Sequence, residues 1–242
     1  MMLFYRIYQF LIAIPLLFVA TVLAALATII GSMLGCSRIM GYWPGKIWAR
    51  IFCILTLVRV KVSGRENISR DTSYVFVANH QGAYDIFAIY GYLGHNFRWM
   101  MKKGLESIPL VGYSCRVSGH IYVDNSTPSA VRETMETAEK RLAGGMSVVV
   151  FPEGARTRDG RMHAFRRGAY SLAMEFGLPV VPITIDGAYK VMPRNAVLPR
   201  PGLIKLTIHK PIYAPEGGRH ELSSLMKESY DAIASALPEG QA

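Results

Sequence analysis

The sequence predicts an α/β fold: a mixed, largely parallel central sheet of about seven strands flanked by helices, preceded by an N-terminal membrane-associated helical segment. Three observations carry this. From Phe10 to Gly35 no residue is charged, and Leu, Ile, Val and Ala dominate. From about residue 60, short β-like apolar runs alternate with helical stretches, the pattern of an α/β domain. Two of those runs pass straight into polar, glycine-containing segments, Asn79–Asp85 and Phe151–Arg158. Strand ends are where open α/β sheets put their chemistry.

Taken in order, the first element is the apolar run. At about 1.5 Å per residue it is long enough as a helix to cross the roughly 30 Å hydrocarbon layer. Arg6 before an apolar stretch also fits a signal peptide, but the run is long for one and no small-x-small cleavage site comes after it. A second apolar stretch, Ile47 to Val60, comes after a turn-like Gly41-Tyr42-Trp43-Pro44-Gly45. It is short and carries Arg50 and Arg59. It reads as an interfacial amphipathic segment, with Trp43 and Trp48 at headgroup depth and the arginines facing phosphates. Two arrangements fit: a helical hairpin dipping into one leaflet, or one span and a surface helix. Arg38, Lys46, Arg50, Arg59, Lys61 and Arg65 cluster after the first run. The positive-inside rule places the chain downstream of that run in the cytoplasm.

Expected strands are 60–64, 74–79, 97–102, 119–124, 147–152, 180–186 and 203–209. Pro182 implies an edge or bulge position for the sixth. A helix is expected from Thr127, which can cap it, to Leu142, with Pro128 in the first turn and Gly144-Gly145 as the stop. Others are expected over 167–176 and 221–236. Residues 191–202, with three prolines, read as a surface loop whose Val191, Met192, Val197 and Leu198 could also touch membrane.

The composition narrows the function. Net charge is +10 and 51% of the 242 residues are hydrophobic, with a pI of about 9.6 and a positive mean hydropathy of +0.22. Basic and apolar together point to an anionic membrane surface rather than nucleic acid, for which no reader motif is present. Cys36, Cys53 and Cys115 are too widely spaced for a metal cluster or a disulfide framework. A reducing, cytoplasm-facing catalytic part is expected.

In Asn79-His80-Gln81-Gly82-Ala83-Tyr84-Asp85, a histidine and a carboxylate stand close together after the buried run Tyr74–Ala78. A histidine held by a carboxylate is a ready general base. In Phe151-Pro152-Glu153-Gly154-Ala155-Arg156-Thr157-Arg158, Gly154 allows close backbone approach. Arg156, Arg158, Arg161, Arg166 and Arg167 surround Glu153 in sequence, and arginine's planar fork of donors matches phosphate. Two further runs end in polar residues: Gly119–Asn125 and Val180–Gly187.

The ordered set NHQGAYD, GHIYVDN, FPEGARTR and VVPITIDG resembles the four blocks of the glycerophospholipid acyltransferase family, most closely its bacterial 1-acyl-sn-glycerol-3-phosphate acyltransferases. The resemblance covers roughly residues 60–215. It implies an anchoring segment over 1–59 and an acyltransferase catalytic domain over 60–242. It places His80 and Asp85 at catalytic positions, and Glu153, Gly154, Arg156 and Thr157 at substrate-contacting ones. In the family the second block commonly ends Asp-Arg, the arginine meeting the substrate phosphate; here Asp124 is followed by Asn125. Asn125 can hydrogen-bond phosphate without charge; either Arg156 and neighbours such as Lys102, Lys103 or Arg116 supply the charge, or the acceptor differs from lysophosphatidate.

The resemblance implies transfer of a fatty acyl group from an acyl thioester to the sn-2 hydroxyl of lysophosphatidate, giving phosphatidate. The donor is acyl-CoA or acyl carrier protein, with no other cofactor and no metal. The partner is the phospholipid bilayer, and the expected location is the inner membrane with the catalytic domain facing the cytoplasm. There is no Gly-x-Ser-x-Gly elbow, so direct transfer is expected, with His80 as base, Asp85 orienting it, and Asn79 or backbone amides for the oxyanion. Other acceptors, such as glycerol 3-phosphate or another lysophospholipid, use the same chemistry. A non-catalytic anionic-lipid binder is the rival of a different class.

Overall fold

The computed structural model describes residues 2–124, 126–213 and 219–242. Seven strands form where the sequence places them: β1 (Val58–Ser63), β2 (Val75–Ala78), β3 (Phe97–Lys102), β4 (Ile121–Val123), β5 (Ser147–Val150), β6 (Val180–Asp186) and β7 (Gly202–Ile208). They make one sheet in the order β1-β7-β6-β2-β5-β3-β4. Every pairing is parallel except β6 against β7.

Helices cover both faces, which is why the central strands read as continuous apolar runs. On one face, Phe76 and Ala78 of β2 pack with Ala49 and Cys53 of α2 (Trp43–Leu55) and with Tyr84, Ala88 and Ile89 of α3 (Tyr84–Tyr92). On the other, Val75 and Val77 meet α5 (Pro128–Ala143), α6 (Gly168–Glu175) and α7 (Arg219–Ser235). Each fully buried large side chain contributes roughly 1.5–3 kcal/mol. Thr127 caps α5 as expected, accepting from the Ala130 N–H at 3.1 Å. The three cysteines are free.

Among the described residues three helices go beyond the sequence expectation: α3, α4 (Val111–Val117) and the one-turn helix Ala188–Val191. The run Tyr84–Leu93 is apolar on nearly every side because α3 is mostly buried, so it offers no polar stripe to reveal a helical period.

Pro182 sits at a bulge, one of the two positions expected for it, and not at an edge. β6 is interior, between β7 and β2. The antiparallel ladder runs from Asp186↔Lys205 to Ile183↔Ile208, and His209 N still donates to the Pro182 carbonyl at 3.0 Å. The next bridge is Val180↔Ile212, one residue out of register. Pro182 thus faces the slip beyond the end of β7, where its missing N–H interrupts no ladder.

The apolar N-terminus is one kinked helix, α1 (Met2–Met40) of 39 residues, whose last residues fold back so that the Met40 side chain lies against Gly31. Gly35, at φ +83°, marks the kink. Phe4, Leu11, Phe18, Leu23 and Leu34 are exposed along it. Both ends are tied to the sheet domain. Tyr5 and Tyr8 hydroxyls donate to the Thr56 and Leu55 carbonyls at 2.8 and 3.0 Å. At the far end, Arg98 Nη2 donates to Ser37 O at 2.8 Å and Asn96 Nδ2 to Arg38 O at 3.0 Å.

The second apolar stretch also differs from expectation. Trp43 is exposed, with the Lys46 ammonium 4.5 Å from its ring centroid. Trp48 instead turns inward, donating Nε1–H to Thr21 Oγ1 at 2.9 Å and packing on Phe52 and Phe87. Arg50 reaches the Gly91 carbonyl at 2.9 Å. Helix α2 stops at Leu55 and β1 begins at Val58, so a division at 59/60 falls inside a strand. With Ala49 and Cys53 in the core, α2 is packed as part of the sheet domain.

His120 is buried beneath this face and accepts the Trp99 backbone N–H on Nδ1 at 3.1 Å. Burial, then the charges of Arg98 and Arg141, push its pKa down to about 3. The unfolded histidine takes up a proton near pH 6.5, while the folded one stays neutral far lower. Stability is therefore full above that pH and falls between it and about 3. At pH 5 the loss is about 2 kcal/mol. The thermal midpoint should drop from pH 7 to pH 5, and drop less in His120→Gln.

Candidate active site

β2 and β5 lie side by side and parallel, Val77 opposite Val150. Their carboxyl ends open on one edge, so two segments 73 residues apart meet there. β3, β4 and β6 run the same way, so Lys102, Asp124 and Asp186 end on that edge too.

After β2 the chain turns through His80 into α3. His80 Nδ1 is 2.7 Å from Asp85 Oδ2. The same oxygen accepts the Gly82 N–H at 2.8 Å. Asp85 is 0% exposed and sits in the first turn of α3, where the helix dipole favours a carboxylate. Gly82 is required by close approach: a Cβ there would lie 2.6 Å from the Met192 carbonyl oxygen. With Nδ1 committed to Asp85, Nε2 is the nitrogen left to meet a substrate, and the His80 side chain is 13% exposed. Phe151 stacks on the imidazole at 3.9 Å and 9°, and Trp99 stacks on Phe151 at 5.6 Å. Sequence reasoning missed Phe151, the first letter of the FPEG block. Its ring fixes the imidazole plane and presents a π face to the imidazolium.

The FPEG block holds His80 from both sides. Glu153 Oε1 accepts the His80 N–H at 2.7 Å and Oε2 the His163 N–H at 3.0 Å. Thr157 N–H donates to the His80 carbonyl at 2.9 Å. The Thr157 hydroxyl is buried in its own turn, donating to Asp159 at 2.7 Å. Burial raises the Glu153 pKa, while the two backbone donors pull it back. The expectation that Glu153 and Thr157 touch substrate therefore gives way to a different role: they clamp the backbone of His80. Their sequence signal was real, but the partner is a main-chain amide that no side-chain pattern reveals.

Asn79 is likewise corrected. It is buried, its Nδ2 donates to the Ile185 carbonyl at 2.9 Å and its Oδ1 accepts the Ile185 N–H at 2.8 Å. It fastens the turn after β2 to β6 and does not face the site as an oxyanion donor.

Gly154 is exposed at φ +77°, and a Cβ there would lie 2.8 Å from the Arg166 guanidinium carbon. Arg156 lies between the two clamping residues, half-buried, its guanidinium without an ion-pair partner among the described residues. Arg158, Arg161, Arg166 and Arg167 are exposed and also unpaired with carboxylates there. Lys102 is exposed at the end of β3. Lys103 is paired with Asp124 at 2.8 Å, which holds the Asp124 carboxyl well below its usual range. Arg116 faces Glu106 at 3.6 Å. Of the cations considered for a phosphate, Arg156 and Lys102 are thus the uncommitted ones. Asn125 lies outside the described residues. Among those residues no three His, Cys, Asp or Glu side chains converge as metal ligands.

Beside this edge is a mostly apolar cavity of about 240 Å³. Thr21 and Ala25 of α1, Trp48 of α2, Ile86 of α3, and Trp99 and Met101 of β3 contribute to its wall. Trp99 links it through Phe151 to His80.

The arrangement brings together a histidine held by a buried carboxylate, a cationic loop and, through Phe151 and Trp99, an apolar cavity. Known proteins resemble the chain in sequence and in fold. A family model described as Acyltransferase matches residues 59–186. A chloroplastic 1-acyl-sn-glycerol-3-phosphate acyltransferase, BAT2 of Brassica napus, is 34% identical over 198 residues, covering 81% of this chain and 56% of that protein. The chain thus spans little more than half of that relative. A Chlamydomonas reinhardtii 1-acyl-sn-glycerol-3-phosphate acyltransferase is 31% identical over 236 residues, 96% of this chain and 68% of that one. The crystal structure of the 1-acyl-sn-glycerophosphate acyltransferase PlsC from Thermotoga maritima superposes with a TM-score of 0.80 at 26% identity, covering 96% of this chain and 93% of that one. By its blocks, its fold and these matches, the chain belongs to the acyltransferase family.

Proposed function

We propose that the chain transfers a fatty acyl group from an acyl thioester to the sn-2 hydroxyl of 1-acyl-sn-glycerol 3-phosphate, forming phosphatidate for phospholipid synthesis. One observation carries the reading: His80 is locked to Asp85 through Nδ1, beside a loop of arginines with no carboxylate partners among the described residues. The names of the relatives support the same acceptor.

The reaction needs no enzyme nucleophile. His80 Nε2 takes the proton of the acceptor hydroxyl as its oxygen attacks the thioester carbonyl carbon. Asp85 holds the ring and stabilises the imidazolium, as the acidic member of a Ser-His-Asp triad does. The tetrahedral intermediate expels the thiolate, which leaves as the thiol after taking a proton from the imidazolium. Arg156 and Lys102 bind the acceptor's phosphate, and Gly154 lets it approach the loop backbone. Positioning the hydroxyl against the thioester supplies part of the barrier reduction. The donor is a thioester of coenzyme A or acyl carrier protein, with no metal or other cofactor, and its chain occupies the cavity beside Trp99.

The location that fits is the inner membrane, with the site facing the cytoplasm. Exposed apolar side chains along α1 and its attachment at both ends to the sheet domain support an in-plane anchor over a span.

Thiol release should be followed with lysophosphatidate, glycerol 3-phosphate and lysophosphatidylcholine in parallel. Lysophosphatidate should react fastest, and Arg156→Ala should raise its apparent KM by about tenfold, the scale of one charge-assisted contact. An unchanged KM would remove Arg156 from the phosphate site. Faster reaction with glycerol 3-phosphate would replace the acceptor.

A further inference from the structure

We propose that the loop from Pro193 to Arg200 is a second bilayer contact, one that seats the arginine loop of the active site among the phosphates of an anionic lipid surface. The proposal rests on the reading of α1 as a helix lying on the membrane.

The loop joins the one-turn helix Ala188–Val191 to β7, and Pro193, Pro199 and Pro201 stiffen it. At its tip Val197 is 87% exposed, the highest value among the exposed large apolar side chains of the described residues. A valine so placed adds nothing to the core. Arg194 and Arg200 flank it, both exposed and unpaired with any carboxylate among the described residues. No Asp or Glu occurs between Asp186 and Glu216.

Position gives this composition its meaning. The Pro199 carbonyl accepts from Arg6 Nη1 at 3.2 Å and Gln9 Nε2 at 3.0 Å, both on α1. A few residues back, Arg194 Nη1 donates to the Arg156 carbonyl at 3.2 Å. One short, stiff loop therefore ties the anchor helix to the cationic loop beside His80. An apolar tip between two guanidinium groups matches the boundary between acyl chains and anionic headgroups. The valine enters the apolar side, and the arginines meet phosphates. With α1 as the other support, the loop fixes the height of the site at the plane where a lipid acceptor carries its own phosphate.

The test uses the full chain with Cys36→Ser and Cys115→Ser, leaving buried Cys53. Single cysteines replace Val197, Phe18 on α1, or Lys227 on α7 across the sheet. Each is labelled with an environment-sensitive nitrobenzoxadiazole and mixed with vesicles of phosphatidylcholine, alone or with phosphatidylglycerol. The labels at Val197 and Phe18 should brighten about twofold or more on the anionic vesicles, as apolar burial requires, and the Lys227 label should not. Adding Arg194→Gln and Arg200→Gln should abolish the gain at Val197 and leave that at Phe18. A dark Val197 label beside a bright Phe18 label overturns the loop contact while the anchor stands. Both dark overturns the anchor and the loop with it. Equal brightening at Val197 on phosphatidylcholine alone overturns the choice of an anionic surface.

Discussion

Replacing His80 by alanine should leave a folded, membrane-bound protein that transfers acyl groups about 10²–10⁴-fold more slowly, the usual worth of a positioned general base. The side chain is partly exposed and makes one hydrogen bond, to Asp85, so little of the core depends on it. Asp85→Asn is the sharper companion. An asparagine there keeps the shape but cannot stabilise an imidazolium: with its oxygen in the Oδ2 place it serves Gly82 and His80 without a charge, and with its amide there it opposes the Gly82 N–H and favours the wrong tautomer. A loss comparable to His80→Ala is expected. Rate constants measured beside thermal midpoints check both. Near-normal turnover in His80→Ala would remove the base from the mechanism.

Glu153→Gln should lower kcat by about 100-fold, the scale of a small misplacement of a reacting group. The carboxylate accepts two backbone N–H groups, from His80 and His163. A carboxamide can serve one and opposes the other with its own N–H. Leaving one buried donor unsatisfied costs about 1–3 kcal/mol, relieved by moving the His80 backbone or by lowering the thermal midpoint. Activity should therefore fall through kcat, with the apparent KM for lysophosphatidate little changed. The reverse split, a raised KM at normal kcat, would return Glu153 to the substrate-contacting role that the resemblance implies.

These two residues show what the sequence could and could not reveal. The strands were legible because β2, β5 and β6 are buried on both faces and so appear as plain apolar runs. His80 and Asp85 were legible because a strand end, a histidine and a carboxylate in one short segment already suggest a base. The sites of Glu153, Thr157 and Asn79 were legible, but their roles were not. Each acts on a main-chain group, of His80 or Ile185, brought near by sheet order, and sheet order is not written in local pattern. Helix α3 hid because it is buried on most sides. Trp48 looked interfacial because its residue type favours headgroups, yet Thr21 satisfies it inside the protein, whereas Arg50 stays exposed with its Nε–H on the Gly91 carbonyl. Pro182 pointed to an edge or a bulge, and a register slip at the end of β7 supplies the bulge in an interior strand.

The central claim is direct transfer by a base that borrows its nucleophile from the acceptor. The most direct measurement is rapid-mixing of the purified full chain with an acyl thioester, with and without lysophosphatidate, tracking free thiol and phosphatidate together. The account predicts thiol release only when the acceptor is present, one thiol for each phosphatidate, and almost none with His80→Ala. A burst of thiol without acceptor, stoichiometric with enzyme, would reveal an acyl-enzyme and contradict it.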